Sequence, residues 1–406
     1  KVLNSVGHAI VDHEADMNRI LIVSERWWPD GTGGVLASHL IAKLLQDTGF
    51  KLTVVHGTKE PEKLSGVRYV YTSFLSVRDK HRLWLNCSIL TKEHWLRKLI
   101  DSSDVVYVPR YCYPLIPVVK RLGKRVVVHL HDYQPVSYNS IVFSEHVRSG
   151  VNAVSFEVLE HGSIARALFA GFTSPMNRLC RIWLKDVDAI ICVSRRQYEI
   201  IKSMLPELAD KIKIVYNPPP AIPMVEKRLE RPTFMYLGGE SYVKGFHVFL
   251  KASRKLLKRY PNVRFLLTQK FRNSTVSVIE RLEKAYNLHG YLEYEEVLKL
   301  HSITHALLFP SIWEEPLPYV VMEAMLMGTI PIASKVGGVP EIVGGTYAEK
   351  MLFEPRDVDE FVERMKYVLS MTQEELKDIG LSLREVALRR FDQEFVRNEL
   401  VRAFLG

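Results

Sequence analysis

The stretch Pro310-Ser-Ile-Trp-Glu-Glu-Pro-Leu-Pro-Tyr-Val-Val-Met-Glu-Ala324 places two glutamates, Glu315 and Glu323, eight residues apart. The four apolar residues before it, Ala306–Phe309, are typical of a buried parallel strand, and Tyr319–Met327 has the pattern of a helix. We therefore expect Glu315 in the loop at the carboxyl end of a strand and Glu323 on the helix that follows. In open α/β sheets, ligands bind at that end of the strands.

This pair of carboxylates suits a sugar ligand. A carboxylate accepts two hydrogen bonds from a vicinal diol, so two of them fit a ligand with two diols, as a nucleotide sugar has. A structural interpretation competes with this one. In it, Glu323 only favours the positive end of its helix, by about 0.3–1 kcal/mol, and Glu314 or Glu315 is merely solvated. The rest of the chain favours the ligand site.

The composition is that of a soluble globular protein. The chain has 406 residues, 47% of them apolar and 25% charged, which is enough for two domains of ordinary size. No apolar run is long enough for a transmembrane helix, and no signal peptide is visible. The cysteines form no CxxC, which indicates a reducing compartment and disfavours a cysteine-based zinc site; they are Cys87, Cys112, Cys180 and Cys192. We therefore expect a cytoplasmic protein.

The positive charge is confined to the N-terminal half. Residues 17–218 hold 28 basic and 18 acidic side chains, a net charge of +10, whereas residues 219–406 hold 26 and 25. This excess predicts an anionic partner, either a membrane surface or an acidic substrate; nucleic acid is disfavoured because no zinc-finger or RNP-type motif is present. The densest basic segment, residues 77–98, contains Trp84 and Trp95, a combination typical of a segment at the cytoplasmic membrane face. The alternative is a solvated helix face with its tryptophans in the core.

Strands alternate with helices along both halves of the chain, which predicts parallel, doubly wound sheets. The strands predicted in the first half are Arg19–Val23, Lys51–His56, Asp104–Val108, Lys124–His131, Ala189–Val193 and Ile212–Val215. Those predicted in the second half are Thr233–Leu237, Val263–Leu267, Ala306–Phe309 and Ile330–Ala333. Between the halves, the proline-rich run Asn217–Pro223 interrupts both patterns and is interpreted as a linker.

The predicted fold class is therefore α/β, with two Rossmann-like domains that face a central cleft. Residues 17–218 form the first domain and residues 219–391 the second. A final helix within residues 392–406, with apolar Phe395, Leu400 and Phe404, is expected to return to the first domain. We interpret Lys1–Asp16 as an upstream extension or a cloning remnant.

Two glycine-rich loops follow the first strand of each predicted domain. Gly31-Thr-Gly-Gly34 opens the predicted helix Val35–Asp47, where glycines allow a phosphate to approach the positive end of the helix dipole. Gly238–Gly245 has the same place in the second domain, and its Lys244 suits a phosphate. Leu36 occupies the last position of a GxGxxG pattern, which disfavours a dinucleotide site. Tight turns and a solvated surface lysine are the structural alternatives.

The remaining candidate residues are single features. His131 ends a predicted buried strand and would face the crevice, although a lone histidine is more often structural. Asp186 and Asp188 form a DxD that could ligate a metal, but they precede a strand and so lie at the wrong end of the sheet for a ligand. Cys192-Val-Ser194 has no partner for nucleophilic catalysis. We therefore predict a site with neither metal nor cofactor.

These motifs together resemble the retaining glycosyltransferases of family 4 (glycosyl transferases group 1), which have the GT-B fold. The resemblance runs from about Ile20 to Phe404 and rests on Gly33-Gly34, His131-Asp132, Val193-Ser194, Asn217-Pro218, Lys244-Gly245, His289-Gly290, Pro310-Ser311, Glu315 to Glu323, and Gly337-Gly-Val-Pro-Glu341. Two departures concern the grip on the donor phosphates. Gly239 stands where the family usually has an arginine, and Pro318 stands near a position where it commonly has a glycine.

The resemblance implies a retaining glycosyltransferase that moves a hexose from a UDP- or GDP-type sugar to a hydroxyl of a glycan or lipid-linked acceptor. The implied donor-binding residues are Gly33, Gly34, Lys244, Glu315, Leu317, Pro318, Tyr319 and Glu323. Among them, Glu323 would accept from the ribose, Glu315 from the sugar, and Lys244 and backbone amides would hold the diphosphate. The implied catalytic residues are Glu315 and His131, the latter near the reacting carbon. No carboxylate is placed as a nucleophile, so same-face substitution fits better than a covalent intermediate.

Other functions stay open on the same scaffold, since fold does not fix function. One is a nucleotide-sugar epimerase or a phosphorylase; the latter would need a lysine that carries pyridoxal phosphate. Another is a non-catalytic protein that binds sugar nucleotides or serves as a membrane scaffold, which the glycine at position 239 keeps open.

Overall fold

The computed structural model describes residues 19–144, 153–282 and 285–406, so the Lys1–Asp16 segment lies outside the described residues. Two parallel sheets organise the chain, one of seven strands in the order β3-β2-β1-β4-β5-β6-β7 and one of six in the order β10-β9-β8-β11-β12-β13. The first sheet contains β1 Arg19–Ser24, β2 Lys51–His56, β3 Arg68–Tyr71, β4 Val105–Val108, β5 Arg125–Leu130, β6 Ala189–Cys192 and β7 Ile212–Ile214. The second contains β8 Thr233–Tyr236, β9 Arg264–Thr268, β10 Tyr286–Gly290, β11 Ala306–Phe309, β12 Ile330–Ser334 and β13 Leu352–Phe353.

Helices connect successive strands and cover both faces of the sheets. Those in the first half are α1 Gly33–Asp47, α2 Lys80–Leu90, α3 His94–Asp101, α4 Ile116–Arg121, α5 Ala153–His161, α6 Ile164–Thr173, α7 Asn177–Leu184 and α8 Arg195–Met204. Those in the second half are α9 Phe246–Leu257, α10 Asn273–Leu282, α11 Tyr294–Leu300, α12 Tyr319–Leu326, α13 Val339–Val343, α14 Val358–Leu369, α15 Gln373–Arg390 and α16 Gln393–Leu405. The predicted α/β fold class is therefore confirmed.

Burial explains which strands the sequence revealed. The central strands β4, β6, β8 and β11 are buried at every position, so both faces are apolar and each reads as a continuous hydrophobic run. The strands that the prediction missed lie at or near the sheet edges: β3 and β10 are half-exposed and polar, and β13 has only two residues. The domain boundaries at residues 218 and 391 stay a prediction.

The last helix, α16, leaves the second sheet and packs on the first. The Asp392 side chain caps it by accepting a hydrogen bond from the Phe395 amide at 2.9 Å. Near its end, the Phe404 ring meets the Tyr107 ring of β4 with centroids 5.0 Å apart. The side chain of Phe395, one of the apolar residues named from the sequence, is exposed. It lies on the solvent side of the helix, whereas the adjacent Val396 is buried.

Side chains of the second half hold it against the first. Glu341 accepts hydrogen bonds from the Arg195 and Arg196 amides at 2.9 and 2.8 Å, and so caps the N-terminus of α8. The Arg196 guanidinium in turn binds Glu314, with Nη2 and Oε1 2.8 Å apart. The Tyr319 hydroxyl donates to the Pro218 carbonyl at 2.8 Å. These contacts join the two halves beside the cleft between the carboxyl ends of the two sheets.

Candidate active site

A cavity of about 710 Å³ lies in this cleft, between loops of the two sheets. Its lining brings together every site residue that the sequence predicted, namely Gly33, Gly34, His131, Lys244, Glu315, Leu317, Pro318, Tyr319 and Glu323. The carboxyl ends of parallel strands meet here because both sheets are doubly wound. Residues far apart in sequence therefore face one space.

Glu315 is buried in the cavity wall, with 6% of its surface exposed, and is held by three donors. The Lys244 ammonium lies 2.5 Å from its Oε1, and the Ser311 hydroxyl and the Trp313 indole N–H each donate to the same oxygen at 3.1 Å. All three contacts reach one oxygen, so the carboxylate has further accepting capacity. Lys244 is also partly exposed to the cavity and can reach an anion there.

Glu323 lies in the second turn of α12 and is equally buried. The Tyr294 hydroxyl donates to its Oε1 at 2.7 Å. Burial raises the pKa of the Glu323 carboxyl to about 7, and the Tyr294 hydrogen bond opposes that rise. The carboxylate therefore ionises near neutral pH, unlike a carboxyl that merely favours the N-terminus of its helix.

Two helix N-termini point into the same cavity. Neither α1 nor α12 has a side-chain cap, so amides of their first turns are left for a ligand. The two helices approach closely because Gly33 has no side chain: a Cβ built there would lie 3.2 Å from Cδ2 of Tyr319. A Cβ on Gly34 would lie 3.1 Å from both Arg110 Nη1 and His131 Cβ. Glycine at these positions keeps the anion-binding end of α1 open.

His131 stands beside Gly34, just past the end of β5, and is neutral at pH 7. Burial lowers the pKa of its imidazole well below the usual value, and His129 and Arg110 lower it further. The His129 ring stacks on it with centroids 4.3 Å apart. Among the described residues, neither ring nitrogen of His131 has a hydrogen-bond partner. Both ring nitrogens of His131 are therefore available to a ligand or to water.

Sequence reasoning missed Arg110, which lines the cavity next to Gly34 and His131. Its Nε donates to Glu25 Oε1 at 2.6 Å. Burial acts to lower the pKa of the Arg110 guanidinium, but Glu25, Tyr111 and Asp132 together raise it by more, so the pKa is raised and the charge is permanent. The available signal was its position two residues after β4, at the carboxyl end of a central strand.

Arg110 brings a guanidinium to the cavity although Gly239 stands where the family usually has an arginine. Gly239 has a φ of +59°, and a Cβ there would lie 3.0 Å from the Gln269 Cβ. A side chain at this position would be strained and crowded. The cavity receives its arginine from the first sheet instead.

Asp188 of the DxD motif has a structural role. Asp188 accepts from the Lys120 ammonium at 2.7 Å and from the Val126 amide at 2.7 Å, so it links β5 to the start of β6.

Trp84 is 3% exposed and donates its indole N–H to the Tyr111 carbonyl at 3.1 Å. The expectation that Trp84 lies at a membrane interface is therefore wrong, because α2 turns it into the core. Of the helices in the described ranges, none has the length and hydropathy that a bilayer span requires.

Comparisons with known proteins agree with this geometry. The model of Glycosyltransferase Family 4 matches residues 33–219, and the model of Glycosyl transferases group 1 matches residues 222–383. A phosphatidylinositol N-acetylglucosaminyltransferase subunit from Arabidopsis thaliana is 24% identical over 369 residues, covering 87% of this chain and 74% of that protein. The chain spans about half the length of two further curated relatives.

Solved structures share the fold at low sequence identity. Sucrose-phosphate synthase from Thermosynechococcus elongatus superposes with a TM-score of 0.71 at 16% identity, over 95% of this chain and 98% of that one. Anabaena HepE in complex with UDP-glucose gives 0.64 at 16% identity, with the same coverage. Because the two family models together match most of the chain, the protein belongs to the family 4, group 1 glycosyltransferases and has the GT-B fold.

Proposed function

We propose that this glycosyltransferase takes a hexose from a nucleoside-diphosphate sugar and transfers it, with retention of configuration, to a hydroxyl of a glycan or lipid-linked acceptor. One observation carries the proposal. The Lys244–Glu315 pair, the Glu323 carboxylate and two uncapped helix N-termini line a single cavity. Carboxylates that can accept hydrogen bonds from diols and groups that can donate hydrogen bonds to a diphosphate thus share one cavity, which suits a sugar nucleotide.

The similar proteins support the choice of ligands. HepE forms a complex with UDP-glucose, which favours a UDP-type donor over a GDP-type one. The Arabidopsis relative is named for the transfer of N-acetylglucosamine to phosphatidylinositol, which favours a lipid-linked acceptor.

The basic side chains and helix N-terminal amides of the cavity are assigned to the leaving diphosphate. Negative charge develops on the diphosphate as the sugar–oxygen bond breaks. We assign the stabilisation of that charge to the Lys244 ammonium, the Arg110 guanidinium and the backbone N–H groups of Gly33, Gly34, Leu317 and Tyr319, all of which line the cavity. The amide-bearing helix ends need no rearrangement when the charge appears.

The remaining groups act on the sugar. Glu323 accepts from the ribose hydroxyls, and Glu315 accepts from hydroxyls of the transferred sugar while its Oε1 holds Lys244. His131, neutral and without a partner among the described residues, forms a hydrogen bond with the sugar near the reacting carbon. The acceptor hydroxyl would attack from the face that the diphosphate leaves, since we assign no side chain as nucleophile.

The direct test is to incubate the protein with a panel of UDP- and GDP-sugars, with and without lipid and glycan acceptors, and to measure released nucleoside diphosphate. Release that depends on an acceptor supports the transferase. Conversion of the sugar nucleotide without release indicates an epimerase, and an absorbance band of pyridoxal phosphate indicates a phosphorylase. Binding of a sugar nucleotide without any turnover indicates the non-catalytic alternative.

Donor affinity should rise with pH around neutrality. The diol needs the ionised Glu323, whose pKa is about 7, so below that value affinity should fall by up to about tenfold per pH unit. Glu323→Gln should weaken binding by about 1.5–3 kcal/mol, or about 10- to 150-fold, and flatten the profile. Calorimetry with nucleoside diphosphates from pH 6 to pH 8 measures both; unchanged affinity in the variant would rule out this assignment.

The same group makes an independent prediction for stability. Because the folded-state pKa of Glu323 is raised from 4.5 to about 7, the folded state binds its proton more tightly than the unfolded state does. Stability is therefore present below pH 4.5 and is lost as pH rises towards 7, by up to about 3 kcal/mol. Denaturant unfolding of the unliganded protein should show this fall, and Glu323→Gln should remove that part of it.

Turnover should survive a chelator. Lys244, Arg110 and two helix N-termini supply positive charge where the diphosphate is expected, and Asp188 of the DxD is already bound to Lys120. We expect EDTA to change the rate of nucleoside diphosphate release by less than about twofold. Loss of turnover that Mn²⁺ or Mg²⁺ restores would assign a metal to this site.

A further inference from the structure

Helix α6 has its large apolar side chains on the wrong side for a helix that only covers a sheet. The residues that it buries are small: Ala167, Ala170 and Thr173. The residues that it exposes are large, with exposed fractions of 72% for Ile164, 69% for Leu168, 53% for Phe169 and 87% for Phe172. A helix whose only role was to cover a sheet would bury its large apolar residues.

The neighbouring helices extend this surface. We call it the apolar face and define it by the exposed side chains Val154, Val158, Leu159, Ile164, Leu168, Phe169, Phe172, Met176, Leu179 and Ile182 of α5, α6, α7 and the turn between the last two. The helices are themselves amphipathic, since Cys180 and Leu184 of α7 are buried. Large apolar side chains exposed together on helices that pack against each other indicate an interaction site.

The charges on α6, on α7 and at Lys185 have one sign. Residues 164–185 contain four basic side chains and no acidic one. Arg178 and Lys185 are exposed, and neither has an ion-pair partner among the described residues. The acidic residues of α5 already have partners: Glu157 binds Arg166 of α6 at 2.9 Å, and Glu160 accepts from the Ser241 hydroxyl at 2.6 Å. The unpaired charge on α6 and α7 is therefore positive, with the exposed Asp186 following Lys185.

The apolar face is connected to the cavity through the chain that follows His131. The Arg181 Nε donates to the Pro135 carbonyl at 3.1 Å, and the Tyr138 hydroxyl bonds to Thr173 Oγ1 at 2.7 Å. A second cavity of about 390 Å³ lies at this junction and includes Tyr138, Arg178 and Arg181 in its lining. Hydrogen bonds thus join the apolar face to the segment of chain that leaves the cleft at His131.

We infer that the apolar face docks on the surface of an anionic lipid bilayer, with Phe172, Leu168 and Ile164 inserted and Arg178 and Lys185 on the headgroups. Large apolar residues on one face with basic residues beside them are what an interfacial helix requires. A second copy of the chain is the competing occupant, and the oligomeric state of the α6 variant in solution distinguishes it from a bilayer. The inference rests on the proposed function for the role of the bilayer, which is to present a lipid-linked acceptor.

The test is co-sedimentation of the full chain with vesicles of phosphatidylcholine alone, and with a third of that lipid replaced by phosphatidylglycerol. We expect binding to the anionic vesicles that weakens at high salt. Leu168→Ser/Phe172→Ser should weaken it by about tenfold or more, and Arg178→Glu/Lys185→Glu should remove the preference for anionic lipid. The matched control is Leu381→Ser/Leu388→Ser, which removes two exposed leucines from α15 in the second half and should bind as the parent does.

Three outcomes would overturn the inference: no binding to either vesicle, binding that the α6 double variant retains, or a dimer in solution that the same variant dissociates. Nucleoside diphosphate release with a water-soluble acceptor should be unchanged in the α6 variant. That measurement separates the two proposals. Vesicle binding without turnover of any sugar nucleotide would contradict the proposed function and support the membrane surface. Turnover without vesicle binding would support the proposed function and contradict the membrane surface.

Discussion

Replacing Lys244 with alanine should lower turnover by about 10²- to 10³-fold, because the variant loses a preorganised positive charge at the leaving diphosphate. The change also removes the 2.5 Å partner of Glu315, which is 6% exposed. A buried carboxylate that loses its cation is left with an uncompensated charge, which is strongly destabilising. We therefore expect donor affinity to fall along with turnover.

Lys251→Ala is the matched control, since Lys251 is an exposed lysine on α9, the helix that follows the Lys244 loop. It should leave turnover unchanged. Lys244→Gln keeps a hydrogen-bond donor without the charge and should recover the fold but little of the rate. If nucleoside diphosphate release by Lys244→Ala stays within about threefold of the parent, the diphosphate is held elsewhere in the cavity.

Local patterns were sufficient to predict the fold. A strand such as β11, Ala306–Phe309, is buried on both faces and so has an apolar sequence that no surface segment shares. The site residues from the second half were equally visible, because Glu315 and Glu323 are fixed by the short distance between a strand end and the next helix. Edge strands such as β3 lacked any such signal.

Partners that lie far apart in sequence could not be predicted in this way. Arg110 reaches the cavity only because β4 lies beside β1, which brings it to Gly34. Tyr294, the donor to Glu323, belongs to a different helix 29 positions away. No motif in the sequence indicates either contact, because both depend on the order of the strands in the sheets.

The apolar face was hidden for a different reason. A segment such as Ile164–Thr173 looks like an ordinary core helix, and only its position reveals that Ala167 and Ala170 face inward while Phe172 faces out. Tryptophans suggested residues 77–98 instead, but Trp84 is buried against the Trp183 ring, with centroids 5.1 Å apart. Composition alone does not say which side of a helix the solvent reaches.

His131→Ala should lower turnover by about 10²-fold and leave donor affinity within about threefold of the parent. The imidazole is neutral, and its nitrogens have no partner among the described residues, so it contributes a hydrogen bond to the sugar rather than charge to the nucleotide. The measurement is nucleoside diphosphate release at saturating donor, compared with donor affinity from calorimetry on the same preparation. Because the lowered pKa keeps His131 neutral across pH 6–8, its loss should not alter the pH profile that Glu323 sets.

His129→Asn separates this role from a structural one. His129 stacks on His131, bonds to the Tyr107 hydroxyl at 2.8 Å and does not line the cavity, so the substitution should cost stability more than turnover. If His131→Ala keeps its turnover but loses donor affinity, His131 belongs with Lys244 in the grip on the phosphates. If the turnover and the donor affinity of His131→Ala both stay unchanged while its unfolding midpoint falls, the imidazole only packs against Gly34. A fall confined to turnover would place it at the reacting carbon, because only a contact that strengthens in the transition state changes turnover without changing affinity.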